Sequence, residues 1–176
     1  MRALIVLTAF TLGACAAPAG PGTVTTLTSA NAATALLAGS GLSMSVTAQA
    51  ASEGMDPLVT LTLTHADGRS LRFQEANHTN EDLMTQRPGG PLAQVMGFFG
   101  EEAPTYYRRV ESGSDGPFIC GAEGPVALGV HEGANGDVAI VALRQTFTYE
   151  TLADGSQAAL PMSPEQVCAR MMFRRG

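Results

Sequence analysis

The sequence contains no Trp and no Lys, so all ten of its basic residues are Arg, set against 16 Asp and Glu. The net charge of −6 argues against nucleic acid as the main partner, because neutralising phosphates requires a basic face. No apolar run reaches the roughly 18 residues that a membrane-spanning helix needs. With 45% hydrophobic residues in a length of 176, the sequence predicts one ordinary globular domain.

The signatures of common catalytic sites are also missing. The sequence has no Gly-x-Ser-x-Gly, no His-Glu-x-x-His, no Cys-x-x-Cys and no glycine-rich loop ending in Gly-Lys-Ser/Thr. No nucleophile, base and orienting group can therefore be assigned from spacing. We predict no catalytic residue, no metal site and no cofactor, and we expect that the protein is not an enzyme.

Two groups of residues leave alternatives open. His78, Glu81 and Asp82, with Glu75 nearby, offer ligands for a divalent metal, but we favour the competing interpretation of a solvated loop and an acidic first helical turn. In the Tyr-Tyr-Arg-Arg run at 106–109, neighbours on a strand point to opposite faces, so Tyr107 can cooperate only with Arg109, and Tyr106 only with Arg108. We take Tyr107 and Arg109 as recognition candidates, and the competing interpretation is a strand with one ring in the core. The histidines at 65 and 131 lie where strands meet turns, which is typical of surface residues, and a shared histidine site is the alternative.

The N-terminus carries a targeting signal. Arg2 precedes an apolar stretch at 3–12, which has the length of a signal-peptide core and is too short to cross a bilayer. Residues 12–15 then read Leu-Gly-Ala-Cys, which resembles the lipobox of bacterial lipoproteins. The resemblance implies cleavage before Cys15 and lipidation of that residue, and two or three acyl chains anchor a protein firmly. A plain secretory signal is the alternative.

This resemblance also implies a location and a domain organisation. Ala16 is not an aspartate, which by the sorting rule of enteric bacteria favours the outer membrane, facing the periplasm. We expect a signal peptide at 1–14, a lipidated flexible tether at 15–22 and a single β-rich domain at 23–176. The expected partners are the membrane, through the anchor, and an envelope protein, glycan or lipid.

Lipidation of Cys15 would leave two of the three cysteines, Cys120 and Cys168. Because the periplasm is oxidising, these two are predicted to form a disulfide, and two buried free thiols are the alternative. Such a bond would join the C-terminal segment to the strand predicted around residues 118–122.

Alternating patterns predict strands at 42–50 and 59–64 and a hairpin into 71–74. A three-residue loop at 66–68 places Leu63 opposite Leu71 and gives Gly68 the left-handed position of the turn, whereas a two-residue turn would mismatch the faces. Ser29 can cap a short helix over 30–38, and an equally plausible alternative is a strand at 24–29 followed by a loop. Further strands are predicted at 105–111, 117–122, 126–131, 138–145 and around 146–151.

Three short helices are predicted from capping signals. Thr79 or Asn80 can cap a helix through residue 86, and Pro91 can begin another that ends at Gly100. Ser163 begins a capping box that predicts a C-terminal helix with an apolar stripe at 167, 168, 171 and 172. The sum is an α+β fold: a mainly antiparallel β-sheet, barrel-like or a sandwich, with two or three short helices including a C-terminal helix.

The functional expectation is a membrane-anchored envelope lipoprotein that acts as a non-catalytic binding or structural module. Two alternatives are an envelope hydrolase or metal-binding enzyme and an inhibitor of a cell-wall lytic enzyme.

Overall fold

The protein's structure is a computed structural model that describes residues 25–29, 42–49, 57–97, 102–134 and 136–175. The predicted signal peptide, tether and Cys15 lie outside the described residues, as do residues 30–41. Within the described part, the strands are β1 (Thr25–Ser29), β2 (Ser43–Gln49), β3 (Leu58–Thr64), β4 (Ser70–Glu75), β5 (Thr105–Val110), β6 (Ala127–Glu132), β7 (Asp137–Leu143), β8 (Tyr149–Thr151), β9 (Gln157–Ala159) and β10 (Val167–Arg175). The helices there are α1 (Asn80–Gln86) and α2 (Pro91–Met96).

Eight of these strands form a closed antiparallel barrel in the order β1-β10-β7-β6-β5-β4-β3-β2. Consecutive strands are neighbours, except that the two-stranded β8–β9 sheet is inserted between β7 and β10. We call the end where β5 and β7 begin the mouth end. The other end, where the β3–β4 turn and the long β5–β6 loop lie, is the disulfide end.

The β3–β4 hairpin has the predicted register. Leu63 pairs with Leu71 and Leu61 with Phe73, so all four of these side chains face the barrel interior, where none is exposed. Gly68 has φ +91° in the turn, a backbone conformation that favours glycine. Alternating hydrophobicity and turn geometry were together sufficient to predict this hairpin.

Two apolar cores lie on opposite sides of the barrel wall. The inner core fills the barrel and includes Phe73, Leu128, Ile140 and Phe173. The outer core lies on the outside of β5, β6 and β7 and is covered by the two helices and the segment around β8 and β9; it contains Ala76, Leu92, Met96, Tyr106, Ala127, Val141 and Leu143.

Gly129 in β6 allows α2 to pack directly on the barrel wall. A Cβ at this position would lie 2.5 Å from Leu92 Cδ1 and 2.9 Å from Val141 Cγ2. Both distances are shorter than carbon atoms tolerate, so the missing side chain sets how closely the helix approaches the strand.

The first two helices were largely predicted. Thr79 is the N-cap of α1 and forms a capping box with Asp82, and Pro91 is the first residue of α2. Gly97 ends α2 with φ +81°, so the helix stops before the predicted end at residue 100, which lies outside the described residues. At the N-terminus, β1 agrees with the strand interpretation of residues 24–29.

The predicted C-terminal helix is wrong. Pro164–Gln166 form one 3-10 turn, in which the Ser163 side chain makes no capping hydrogen bond, and β10 follows at once. Ala169, Met171 and Phe173 belong to or pack against the inner core, which is a period-2 pattern. Strand β10 pairs with both β7 and β1 and closes the barrel, so tertiary pairing overrides the local helix start.

The predicted strand at 117–122 is also wrong, because this segment is an irregular loop. Cys120 and Gly121 have φ of 65° and 83°, which an extended strand cannot contain. Ile119 and Cys120 are buried against the inner core at the disulfide end. The Sγ atoms of Cys120 and Cys168 lie 1.98 Å apart, so the predicted pair is at disulfide distance and joins this loop to the start of β10.

Candidate functional site

A cavity of about 480 Å³ lies at the mouth end of the barrel. Its floor is built from inward-facing side chains that are almost completely buried: Met44 at 2% exposed, Val138 at 4% and Tyr107 at 6%. Its described lining is Met44, Val46, Glu102, Ala103, Thr105, Tyr107, Val130, His131, Glu132 and Val138. Barrel mouths are frequent positions for small-molecule sites, and an eight-stranded barrel has room for one small ligand.

The polar groups of this mouth cavity are mainly acidic. Glu102 and Glu132 line it, and Glu102 Oε2 lies 3.2 Å from His131 Nε2. Glu75 pairs with Tyr107 across β4 and β5 on the inner face. Burial raises the pKa of Glu75, and burial together with the Glu75 charge raises the pKa of Tyr107. No arginine is present among the described lining residues.

The two recognition candidates are not brought together. Tyr107 lines the mouth cavity, whereas Arg109 lies further along β5 toward the disulfide end, where Nη1 donates a 2.8 Å hydrogen bond to the Glu123 carbonyl. Arg109 therefore holds the β5–β6 loop. The competing interpretation, a strand with one ring in the core, is also incomplete, because both tyrosine rings are buried. Tyr106 is 1% exposed in the outer core, where its ring meets the Phe147 ring edge to face.

Of the residues considered for a metal site, Asp82 serves the structure of α1, whereas Glu75 lies on the inner face of β4. Asp82 is buried, its Oδ1 accepts a 2.6 Å hydrogen bond from Arg108, and its Oδ2 accepts one from the Thr79 N–H. In the described part of the chain, no three His, Cys, Asp or Glu side chains are grouped so that they could hold a metal ion. The alternative of an envelope hydrolase or metal-binding enzyme stays a prediction from the sequence.

The histidines at strand ends occupy opposite ends of the barrel. His65 lies at the disulfide end, stacked on Phe118 and 2.9 Å from Asp67, while His131 lines the mouth. A shared histidine site is therefore excluded. His131 and Glu102 were not predicted as site residues, because only the pairing of β5 with β6 across the long β5–β6 loop places the segment before β5 beside the end of β6.

A second cavity, of about 600 Å³, lies outside the barrel wall between the helices and the β8–β9 sheet. We call it the groove. Its described lining is Met84, Arg87, Pro91, Gln94, Val95, Phe147, Tyr149, Gln157, Ala158, Ala159, Leu160, Pro161, Met162, Pro164, Val167 and Arg170. This lining contains two arginines and no carboxylate, in contrast to the mouth.

Comparison with known proteins adds no assignment: no family model, no curated protein and no solved structure matches this chain. Within the described residues, no helix is long and apolar enough to span a bilayer. The functional conclusion must therefore come from the chemistry of the two cavities.

Proposed function

We propose that the protein is a membrane-anchored, non-catalytic binding protein of the bacterial cell envelope whose barrel mouth takes a small molecule with an apolar body and a cationic group. The observation that carries this proposal is the mouth cavity, with a buried apolar floor and carboxylates at its rim. Apolar walls with a few placed polar groups are the usual composition of small-molecule sites.

Each part of the mouth supports one part of the ligand. Met44, Val130 and Val138 offer an apolar surface, which favours a hydrocarbon body. Glu102 and Glu132 favour a positive charge, and an ammonium group can donate charge-assisted hydrogen bonds to them.

Tyr107 adds a polar group deeper in the cavity. It is 6% exposed and lines the cavity. A ligand that reaches the floor can therefore form a hydrogen bond with its hydroxyl group.

Binding can be tested with the full chain in lipid nanodiscs and the signals of ¹³C-labelled methionine methyl groups. Octylammonium should shift the Met44 methyl signal, and octanoate at equal concentration should leave it unchanged. Changing both Glu102→Gln and Glu132→Gln should weaken octylammonium binding about tenfold, because a hydrogen bond to a charged group contributes about 1.5–3 kcal/mol. Equal shifts with octanoate would contradict a cation-selective mouth.

Anchoring needs a separate experiment, since it rests on the lipobox at 12–15. Cells expressing the chain and fed an alkyne-tagged fatty acid should label the protein and retain it in the membrane fraction. Cys15→Ser should abolish both results. Equal labelling of the variant would disprove the anchor and would leave the binding proposal standing. The alternatives of an envelope hydrolase and of an inhibitor of a lytic enzyme stay predictions from the sequence.

A further inference from the structure

The groove lies along an unpaired strand edge. The Leu160 N–H donates a 2.8 Å hydrogen bond to the Thr148 carbonyl, so these two residues form a hydrogen-bonded pair of the β8–β9 ladder. In an antiparallel ladder, such pairs alternate with pairs whose backbone groups point outward. The backbone N–H and C=O groups of Gln157 and Ala159 consequently point away from β8, and they make no hydrogen bond within the described chain. Such an edge is a template for pairing with another strand.

The backbone of β9 borders the groove. Gln157, Ala158 and Ala159 all line the cavity, although neighbouring side chains on a strand point to opposite faces. A contribution from all three residues is expected of a cavity that reaches the free edge of β9, where the unpaired backbone groups of Gln157 and Ala159 lie.

The remaining walls indicate which side chains would fit. Val95, Phe147, Met162 and Val167 are half-buried against the outer core and form an apolar floor. Leu160 is 40% exposed and lines the groove beside them. A partner with apolar side chains would remove this apolar surface from water.

The charge of the groove is opposite to the charge of the whole chain. Arg87 and Arg170 line it, and neither forms an ion pair within the described residues. Arg170 donates to the Val95 carbonyl at 2.8 Å, which holds its guanidinium at the groove. In a chain with 16 acidic and ten basic residues, this local positive charge favours an acidic partner.

We propose that the groove binds an extended, acidic and apolar peptide segment of a partner protein, which adds a strand to the free edge of β9. Backbone hydrogen bonds to Gln157 and Ala159 would fix the direction of the peptide. Its apolar side chains would lie on the floor and its carboxylates would pair with the arginines. This interaction is independent of the small-molecule function proposed for the mouth.

The probe is the peptide acetyl-Val-Glu-Val-Glu-Val-amide, added to the full chain in nanodiscs. It should shift the methyl signals of Met84 and Met162, which line the groove, and leave Met44 unchanged. The same peptide with Lys in place of Glu should bind at least about tenfold more weakly, and Arg87→Gln should reduce this difference. Equal affinity of the two peptides would overturn the acidic partner.

Strand addition is tested by Ala159→Pro, which removes one edge N–H, with Ala159→Val as the matched control that keeps it. The proline variant should lose peptide binding and the valine variant should retain it. Unchanged Met96 and Met171 signals would show that both cores stay folded. A peptide methylated on alternate backbone nitrogens tests the same hydrogen bonds against the unaltered chain, so strong binding of that peptide would overturn the proposal. A dimer of the chain that Ala159→Pro dissociates would assign the edge to a second copy and would also overturn it.

Discussion

The mouth cavity and the groove differ in position, construction and charge. The mouth is formed mainly by the barrel strands and carries carboxylates. The groove is formed mainly by the segments between strands, together with Val167 and Arg170 of β10, and carries guanidinium groups. Both have apolar floors that belong to different cores. One barrel wall therefore separates two cavities that carry opposite charges.

The wall between them is formed by β5, β6 and β7. Tyr107 faces the mouth and Tyr106 the outer core, so adjacent residues serve the two sides. Burial raises the pKa of both tyrosines, that of Tyr106 to about 12. We expect changes confined to one side to leave the other side intact, and the predictions below use this separation.

The largest effect should follow the loss of the disulfide. Cys120 and Cys168 are separated by 48 residues, and a cross-link of that length contributes about 4 kcal/mol by the chain-entropy estimate. The double change Cys120→Ser and Cys168→Ser should lower the free energy of unfolding in urea by that amount. Because Cys168 follows the groove residue Val167, the Met162 signal should broaden while Met44 stays sharp.

Reduction of the unaltered chain with dithiothreitol is the control for this pair of substitutions. It should produce the same loss of stability without any change of sequence. An unchanged urea midpoint in both experiments would show that the cross-link does not hold the disulfide end.

A smaller loss should follow Gly129→Ala, which forces α2 away from β6. The added Cβ would overlap Leu92 and Val141, and overpacking of this kind costs about 1–3 kcal/mol. Because α2 is a wall of the groove, peptide binding should weaken while octylammonium binding is retained. Gly116→Ala is the matched control, since a Cβ there meets no atom within 4 Å, and it should have almost no effect on the urea midpoint.

Asp82→Asn should cost about 1 kcal/mol, because the neutral amide keeps a cap for the Thr79 N–H but loses the ion pair with Arg108. Thermal unfolding measures the loss. Glu81→Gln, in the same helical turn, is the control and should be nearly neutral. A loss as small as that of the control would show that the buried carboxylate does not stabilise α1.

The smallest effect should be a pH-dependent gain from Glu75→Gln at the mouth. Burial raises the pKa of Glu75 in the folded state above its value in the unfolded state. Below the unfolded pKa, the carboxyl group is protonated in both states. As the pH rises from the unfolded to the folded pKa, the unfolded state ionises first and the free energy of unfolding falls. Near pH 7 the variant should therefore melt at a slightly higher temperature than the unaltered chain, by no more than about 2 °C for a partly exposed group. Near pH 4 the two melting temperatures should be the same. Glu150→Gln, which is exposed on β8, should show no such difference.

The parts of the fold that were predictable are those specified by neighbouring residues. The register of the β3–β4 hairpin follows from the alternation around Gly68, and the start of α1 follows to within one residue from the N-cap signals of Thr79 and Asn80. In both cases the local sequence and the tertiary structure favour the same conformation.

The parts that failed depend on distant strands. Ser163 and Pro164 favour a helix locally, but the segment after them closes the barrel by pairing with β1 and β7. Likewise, Glu102 lies beside His131 only because β5 pairs with β6 across a long loop, and β9 and α2 line one groove only in the folded chain. Apart from Tyr107, the site residues could therefore not be predicted before the fold.

The most direct test of two separate, oppositely charged binding surfaces is one titration of methionine methyl signals with both probes in the same sample. Octylammonium should move Met44 alone, and the acidic peptide should then move Met84 and Met162 with unchanged affinity. If both probes shift the same methyl groups, or if one displaces the other, the separation of mouth and groove by the barrel wall is contradicted.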